Sequence, residues 1–199
     1  MRTEIAADEI ALRHVPAGRM AGAKAFHIRP LDAQRDAPAL HRWFIEERAA
    51  FWNMRDKSVA DVAAFYQAIE DSGHARAWLG LQDDVPAFLF ESYDPAHEEI
   101  GEHYDVRAGD LGMHLFVGPA ARRTSGYTHH VFETLMAFLF EHLDAQRVVV
   151  EPDARNARIH ALNRAIGFVY TKDVAFREKT ASLAFCTRAA FYAAIKQDH

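Results

Sequence analysis

A single cysteine, Cys186, leaves the chain no partner for an intramolecular disulfide and suits a reducing compartment. Nowhere do roughly 18 apolar residues run together, so no membrane-spanning helix is expected. The sequence has no block of Lys and Arg and its net charge is −5, which removes the electrostatic footprint of a nucleic-acid binder. Glu4, Asp8 and Glu9 interrupt the start of the chain, so it does not read as a signal peptide. Internal repeats and low-complexity tracts are also missing. These absences lead to the expectation of a cytoplasmic, water-soluble protein that meets neither membrane nor nucleic acid; a monomer or homodimer is expected, and nothing in the composition chooses between them.

What the chain has in quantity is apolar surface to bury. Half of its 199 residues are hydrophobic, among them 14 Phe, 6 Tyr and 3 Trp, enough for one domain with a sizeable core. Residues 1–24 are polar, Ala- and Gly-rich and weakly periodic, and read as an extension before a domain over 25–199.

From Phe26 the patterning sharpens. Phe26 to Pro30 alternates as a short strand that the proline ends. A helix is expected from about Asp36, followed by an aromatic connector, Phe51-Trp52-Asn53-Met54. Ser58 with Asp61 three residues on has the form of a helix start, and Val62, Phe65, Tyr66 and Ile69 form the apolar stripe of that helix. Arg76–Gln82 and Pro86–Tyr93 predict a hairpin around Asp83-Asp84.

Asp110–Val117 is a further strand. Leu111, Met113, Leu115 and Val117 share one face, and Gly112, His114 and Phe116 share the other. A helix over Ser125–Leu143 is apolar on more than one stripe and is expected to be buried. Then come a Val-rich strand, Arg147–Glu151, and a helix, Asn156–Ile166, closed by Gly167. Strands at Phe168–Lys172 and Ser182–Thr187 and a last helix from Arg188 complete the chain. The β-α-β-α-β run from Asp110 to Phe168 places the chain in a mixed α/β (α+β) class with locally parallel strands.

Three places could carry chemistry. The turn after the Asp110–Val117 strand holds Arg122, Arg123, Thr124, Ser125 and Gly126 just before a helix, where unpaired amides and the helix dipole attract anions. The plainer account is an ordinary helix cap at Thr124 or Ser125. His114 lies on the face of its strand opposite the apolar set, so core packing does not explain it. Asp153 follows the Arg147–Glu151 strand, and ligands collect beyond the carboxyl ends of parallel strands. It could pair with His114 in acid/base work or simply cap the next helix. The twelve histidines do not make a metal site. His129 and His130 are adjacent on a helix and diverge, with no Cys or carboxylate cluster to complete a site. Ser125 lacks the Gly-x-Ser-x-Gly surroundings of a hydrolase nucleophile.

Taken together, the strand leading into Arg123-Thr-Ser-Gly-Tyr-Thr128 and the later Asn156…Asn163…Gly167-Phe168 resemble the GNAT acyltransferases. More narrowly, Gly112-Met-His114-Leu…Gly118-Pro119 and Glu151-Pro-Asp153-Ala-Arg-Asn156 resemble the siderophore-pathway branch of that family. The likeness covers about Phe26 to Phe191. It implies a mixed, mostly antiparallel sheet whose fourth and fifth strands form a parallel pair splayed around acyl-CoA, acetyl-CoA or succinyl-CoA. It further implies that His114 contacts the acceptor nitrogen and that Asp153 takes the proton. The backbone of Leu115, Phe116 and Val117 would run along the pantetheine arm. Arg122, Arg123, Thr124, Ser125, Gly126, Tyr127 and Thr128 would hold the pyrophosphate, with Asn156 beside the thioester and Asn163 near the CoA arm. Thr128 stands where the family usually has Gly or Ala. Trp52, Asn53, Glu91 and Tyr93 are candidates for the substrate pocket. The acceptor expected from this branch is a small N-hydroxylated amine. The alternatives are a GNAT enzyme for another amine and a non-catalytic CoA-binding module.

Overall fold

The computed structural model describes residues 25–119 and 125–197. The segment 1–24 lies outside the described residues, and so do Arg122, Arg123 and Thr124.

Among the described residues seven strands join in one sheet: β1 (His27–Pro30), β2 (Ala75–Gln82), β3 (Val85–Tyr93), β4 (Asp110–Val117), β5 (Arg147–Val150), β6 (Val169–Ala175) and β7 (Thr180–Thr187), in the order β1-β2-β3-β4-β5-β7-β6. Helices α1 (Ala33–Phe44), α2 (Val59–Ser72), α3 (Tyr127–Glu141), α4 (Ala157–Ile166) and α5 (Arg188–Gln197) complete the described residues, with shorter 3-10 turns at Glu47–Trp52, Pro95–His97 and Glu99–His103.

Local chemistry accounts for much of this. Asp83 and Asp84 both take positive φ, 52° and 62°, the backbone a two-residue hairpin turn requires, and aspartate tolerates it better than most residues. Ser58 accepts a hydrogen bond from the Asp61 amide, and the Asp61 carboxylate accepts one from Ser58 in return, so two otherwise unpaired amides are satisfied at the start of α2. Pro30 ends an edge strand, where a missing N–H costs the sheet little.

The sheet separates two apolar cores according to strand parity. Phe88, Phe90 and Met113 face α3, whose residues His130 to Phe140 are all buried. Leu89 and Phe116 face α1 and α2 with Leu40, Trp43, Phe44, Val62 and Tyr66. His114 and Glu91, directly opposite each other on β4 and β3, have the parity of this second face.

The parallel run predicted from the β-α-β-α-β pattern holds for β4 and β5. It does not extend to β6. Strand β7, antiparallel to both β5 and β6, lies between them, so those two run in the same direction without pairing. Burial explains the order, because β7 is mostly buried and takes the interior place while β6 is mostly exposed and takes the edge.

The β4–β5 pairing is short. Asp110, Leu111 and Gly112 oppose Arg147, Val148 and Val149, and beyond Gly112–Val149 the strands part. Arg147 clamps the base of the pair through a two-pronged bond to Asp110, at 2.8 and 2.6 Å. At the point of parting, Gly112 makes room for Tyr93 across the β3–β4 ladder; a Cβ there would sit 2.0 Å from the tyrosine ring. Gly112→Ala is therefore expected to force Tyr93 aside and to cost roughly 1–3 kcal/mol of stability, measured by urea unfolding.

Candidate active site

His114 extends from β4 just past the point where β5 departs. Its ring lies between two carboxylates: Nδ1 is 2.9 Å from Glu91 Oε2 and Nε2 is 2.6 Å from Glu151 Oε1. An ionised carboxylate only accepts, so a ring that satisfies both partners carries N–H on both nitrogens. Burial disfavours the charged ring, but the two carboxylates outweigh it and raise the His114 pKa from 6.5 to about 10. The ring is nonetheless 41% exposed, so this charge is presented to whatever enters.

The carboxylates are themselves held. Glu151 Oε2 accepts the Tyr93 hydroxyl at 2.9 Å, and the Lys179 ammonium stands 3.8 Å from Oε1. Burial would raise the Glu151 pKa, yet His114, Lys179 and Tyr93 hold it below its ordinary value. Burial and the Glu151 charge push the Tyr93 hydroxyl well above its ordinary pKa, so it stays a donor. Trp52 Nε1 donates to the Tyr66 hydroxyl at 3.4 Å, and Tyr66, buried and beside Glu91, is likewise held protonated.

Of the expected substrate-pocket residues, Trp52, Glu91 and Tyr93 gather around His114. The Trp52 and Tyr93 rings are 6.4 and 5.0 Å from its ring. Asn53, in the left-handed conformation that ends the 3-10 turn, instead donates to Glu178 at 3.4 Å. That bond ties the connector to the β6–β7 turn, the same turn that supplies Lys179.

The partners of His114 are Glu91 and Glu151, and the Asp153 carboxylate is bound to Arg155 instead. Its carboxylate accepts from the Arg155 amide at 2.8 Å and from the Arg155 guanidinium at 2.9 and 2.7 Å, and these bonds hold it well below the usual carboxylate range. It does not cap α4 either. Asn156 does, accepting from the Ile159 amide at 3.3 Å. Arg155 is 81% exposed, so Asp153 is tied to a side chain with room to swing away.

The expected cofactor residues divide in the same way. Leu115 and Val117 pack toward α3, and Phe116 packs between Trp43, Phe44 and Trp52. Helix α3 begins at Tyr127, with Thr128 in its first turn and Gly126 at the capping position with φ 78°. Ser125 precedes it, and among the described residues no side chain caps this helix. Asn163 departs from its expected place beside a CoA arm: it is 1% exposed and donates to the Tyr170 hydroxyl at 2.7 Å, so its side chain offers no surface to a ligand.

Two residues of the cluster were not singled out from sequence. Glu151 closes the Val148–Val150 run, and the strand-end argument that selected Asp153 applies equally to it. Lys179 carries no local signal, and the placement of β7 beside β5 is what brings it in. Among the described residues no three His, Cys, Asp or Glu side chains are grouped to hold a metal ion, and no helix is long and apolar enough to cross a membrane.

A family model described as an acetyltransferase (GNAT) domain matches residues 32–176. The chain is 27% identical over 166 residues to N(6)-hydroxylysine O-acetyltransferase of Escherichia coli, covering 83% of this chain and 53% of that protein. It is 23% identical over 168 residues to N-hydroxyputrescine acetyltransferase of Acinetobacter baumannii, covering 84% and 80%. It thus spans about half the length of the first relative and four-fifths of the second. Among solved structures, a Bacillus halodurans protein, bh2621, superposes with a TM-score of 0.80 at 25% identity, covering 87% of this chain and 90% of that one. The aminoglycoside acetyltransferase AAC(6')-Ib with coenzyme A and kanamycin superposes with a TM-score of 0.72 at 19% identity, covering 85% and 98%, a likeness of fold.

The carboxylate clamp has a pH signature. A proton held more tightly in the folded state stabilises it fully below the ordinary His114 value of 6.5, and that contribution is lost as pH rises through about 10. Glu151, held below its ordinary 4.5, contributes above that value and loses its contribution as pH falls through its lowered one. The clamp is therefore strongest between about pH 4.5 and 6.5. The Tm of the wild type minus that of His114→Gln is expected to be largest in this window and to shrink toward pH 10, followed by calorimetry. A difference that stays flat with pH would rule the clamp out.

Proposed function

This chain belongs to the GNAT acetyltransferase family, and from that premise we propose that it carries an acetyl or succinyl group from coenzyme A to the nitrogen of an N-hydroxylated amine, making a hydroxamate. The acceptors we favour are N6-hydroxylysine and short N-hydroxydiamines such as N-hydroxyputrescine and N-hydroxycadaverine. The observation that carries the reading is the presented ring of His114 where β4 and β5 part. The two curated relatives, whose names each carry an N-hydroxylated amine, support the acceptor class.

In this reading the thioester lies between the separating strands, along the backbone of Leu115, Phe116 and Val117. The first amides of α3, with Ser125, Gly126, Tyr127 and Thr128, face the pyrophosphate, where the helix dipole favours negative charge. Arg122, Arg123 and Thr124 belong to the same loop by sequence. Asn156 sits at the thioester end. Trp52 and Glu91 line the acceptor side.

The acceptor, held through its hydroxyl oxygen by a His114 N–H so that the nitrogen lone pair stays free, attacks the thioester carbonyl with that nitrogen. The C–N bond forms as the C–S bond breaks, the proton on nitrogen goes to Asp153, and the departing thiolate takes a proton from water. Asp153 must first release Arg155, which its exposure allows. A hydroxylamine is already neutral near pH 7, so a modest base is enough. Asn163 makes no contact with the cofactor in this scheme. The reaction needs a small-molecule amine and acyl-CoA as its partners, and the siderophore pathway is the setting this chemistry fits.

The test is release of free thiol from acetyl-CoA or succinyl-CoA with a panel of N6-hydroxylysine, N-hydroxyputrescine, N-hydroxycadaverine and the unhydroxylated amines. Turnover is expected with the hydroxylated members. The product should give the coloured ferric complex of a hydroxamate, which an O-acyl ester does not. His114→Ala and Asp153→Asn are each expected to cut kcat by roughly 10²–10⁴-fold, measured at a temperature at which each variant is still folded. Near-normal turnover in both variants would remove the residue assignment, and turnover confined to unhydroxylated amines would remove the acceptor class.

A further inference from the structure

The two carboxylates on His114 are not equivalent. The Glu151 side chain is 5% exposed, lies 2.6 Å from Nε2, and is braced by the Tyr93 hydroxyl on one oxygen and the Lys179 ammonium near the other. Glu91 reaches Nδ1 at 2.9 Å from the neighbouring strand, is 11% exposed, and has one further partner, the Tyr66 hydroxyl, against two for Glu151. A ligand atom that engages a ring nitrogen of His114 has to take the place of one of them. The shorter, deeper and better braced bond is the one that persists.

We propose that Glu151 is a positioning residue that fixes the ring plane and both N–H donors of His114, and that Glu91 is the weaker partner, whose seat at Nδ1 an acceptor takes over. The arrangement orients the histidine from behind and leaves one nitrogen addressable, as a buried acid does for an active-site imidazole. The first half stands on geometry alone; the second rests on the acyl-transfer reading above.

The groups that face His114 come from four directions. Glu91 and Tyr93 lie on β3, Glu151 stands just past β5, Trp52 belongs to the 3-10 turn, and Lys179 sits across Glu151 on the β6–β7 turn. Tyr66 on α2 acts through Glu91. Of these, Glu91 and Glu151 are the two whose charge bears directly on a ring nitrogen.

The test is a side-chain NMR titration of His114 in the full chain, its signals identified by their loss in His114→Gln. Glu151→Gln is expected to lower the His114 midpoint by roughly 1–3 pH units and to lower it further than Glu91→Gln does. If Glu151→Gln fails to fold, Glu151→Asp, which keeps the charge but shortens the reach, is expected to lower the midpoint in the same direction. Equal shifts in the two Gln variants, or a larger one in Glu91→Gln, would overturn the assignment. With an acceptor from the panel, Glu151→Gln should reduce kcat by roughly 10²–10⁴-fold with little change in acceptor KM. Glu91→Gln should lower the acceptor KM, because a neutral amide competes less well for Nδ1. A raised KM in Glu91→Gln would overturn the second half. If the wild type turns over no member of the panel, the acyl-transfer reading fails together with the second half, and the titration still decides the role of Glu151.

Discussion

Two parallel strands that pair over three residues and then separate create the opening on which the rest of the structure depends. Arg147 and Asp110 hold β4 and β5 together at one end, while β5 stops at Val150 and β4 continues to Val117. A sheet gains stability from every ladder bond it makes, so a gap of this kind persists because its surroundings hold it. Here the surroundings are two cores. Helix α3 packs one face of the sheet with an almost uninterrupted apolar surface, and α1 with α2 packs the other. At the opening, His114, Glu91, Glu151 and Lys179 stand together.

That concentration of charge would be costly without mutual neutralisation. Glu91 and Glu151 would repel each other in a partly buried setting, and His114 between them turns repulsion into a bridged pair. Lys179 and Tyr93 complete the coordination of Glu151. The outcome is a polar network in which nearly every member is satisfied, the condition under which such networks add rigidity to a core. Asp153, two residues beyond Glu151, is paired with Arg155, and the Lys179 charge also helps to hold its pKa down. The two acids of the Glu-Pro-Asp segment therefore have different partners: one is bound to the histidine at the opening, the other to an arginine that is mostly exposed.

Much of this was legible in the sequence because it depends on local rules. Strand parity identified His114 as off the main core, the Ser58–Asp61 spacing marked the start of α2, Asp83-Asp84 marked the hairpin, and the all-round apolar character of the 130–140 segment marked a buried helix. The parts that were not legible depend on order within the sheet. Nothing near Lys179 signals proximity to β5; the insertion of β7 between β5 and β6 brings it there. Parity does put Glu91 and Tyr93 on one face of β3, but only the register with β4 sets Glu91 opposite His114. Asn163 shows the converse difficulty. A polar residue inside a helix reads as available to a ligand until a tyrosine from the next strand is found to occupy it.

The bond between Asn53 and Glu178 and the approach of Lys179 to Glu151 also bear on how the chain acquires its site. The residues that converge on His114 run from Trp52 to Lys179, and the last of them arrives with the final hairpin. A chain growing from its N-terminus can build α1, α2 and the β2–β3 hairpin from nearby contacts, but Glu151 gains its lysine partner only when β7 has entered the sheet between two strands made before it. The completed centre thus depends on contacts between residues far apart in the chain, the kind whose loop-closure cost slows folding. A chain that stopped before that hairpin would hold His114, Glu91, Glu151 and Tyr93 but lack the Lys179 ammonium that steadies Glu151.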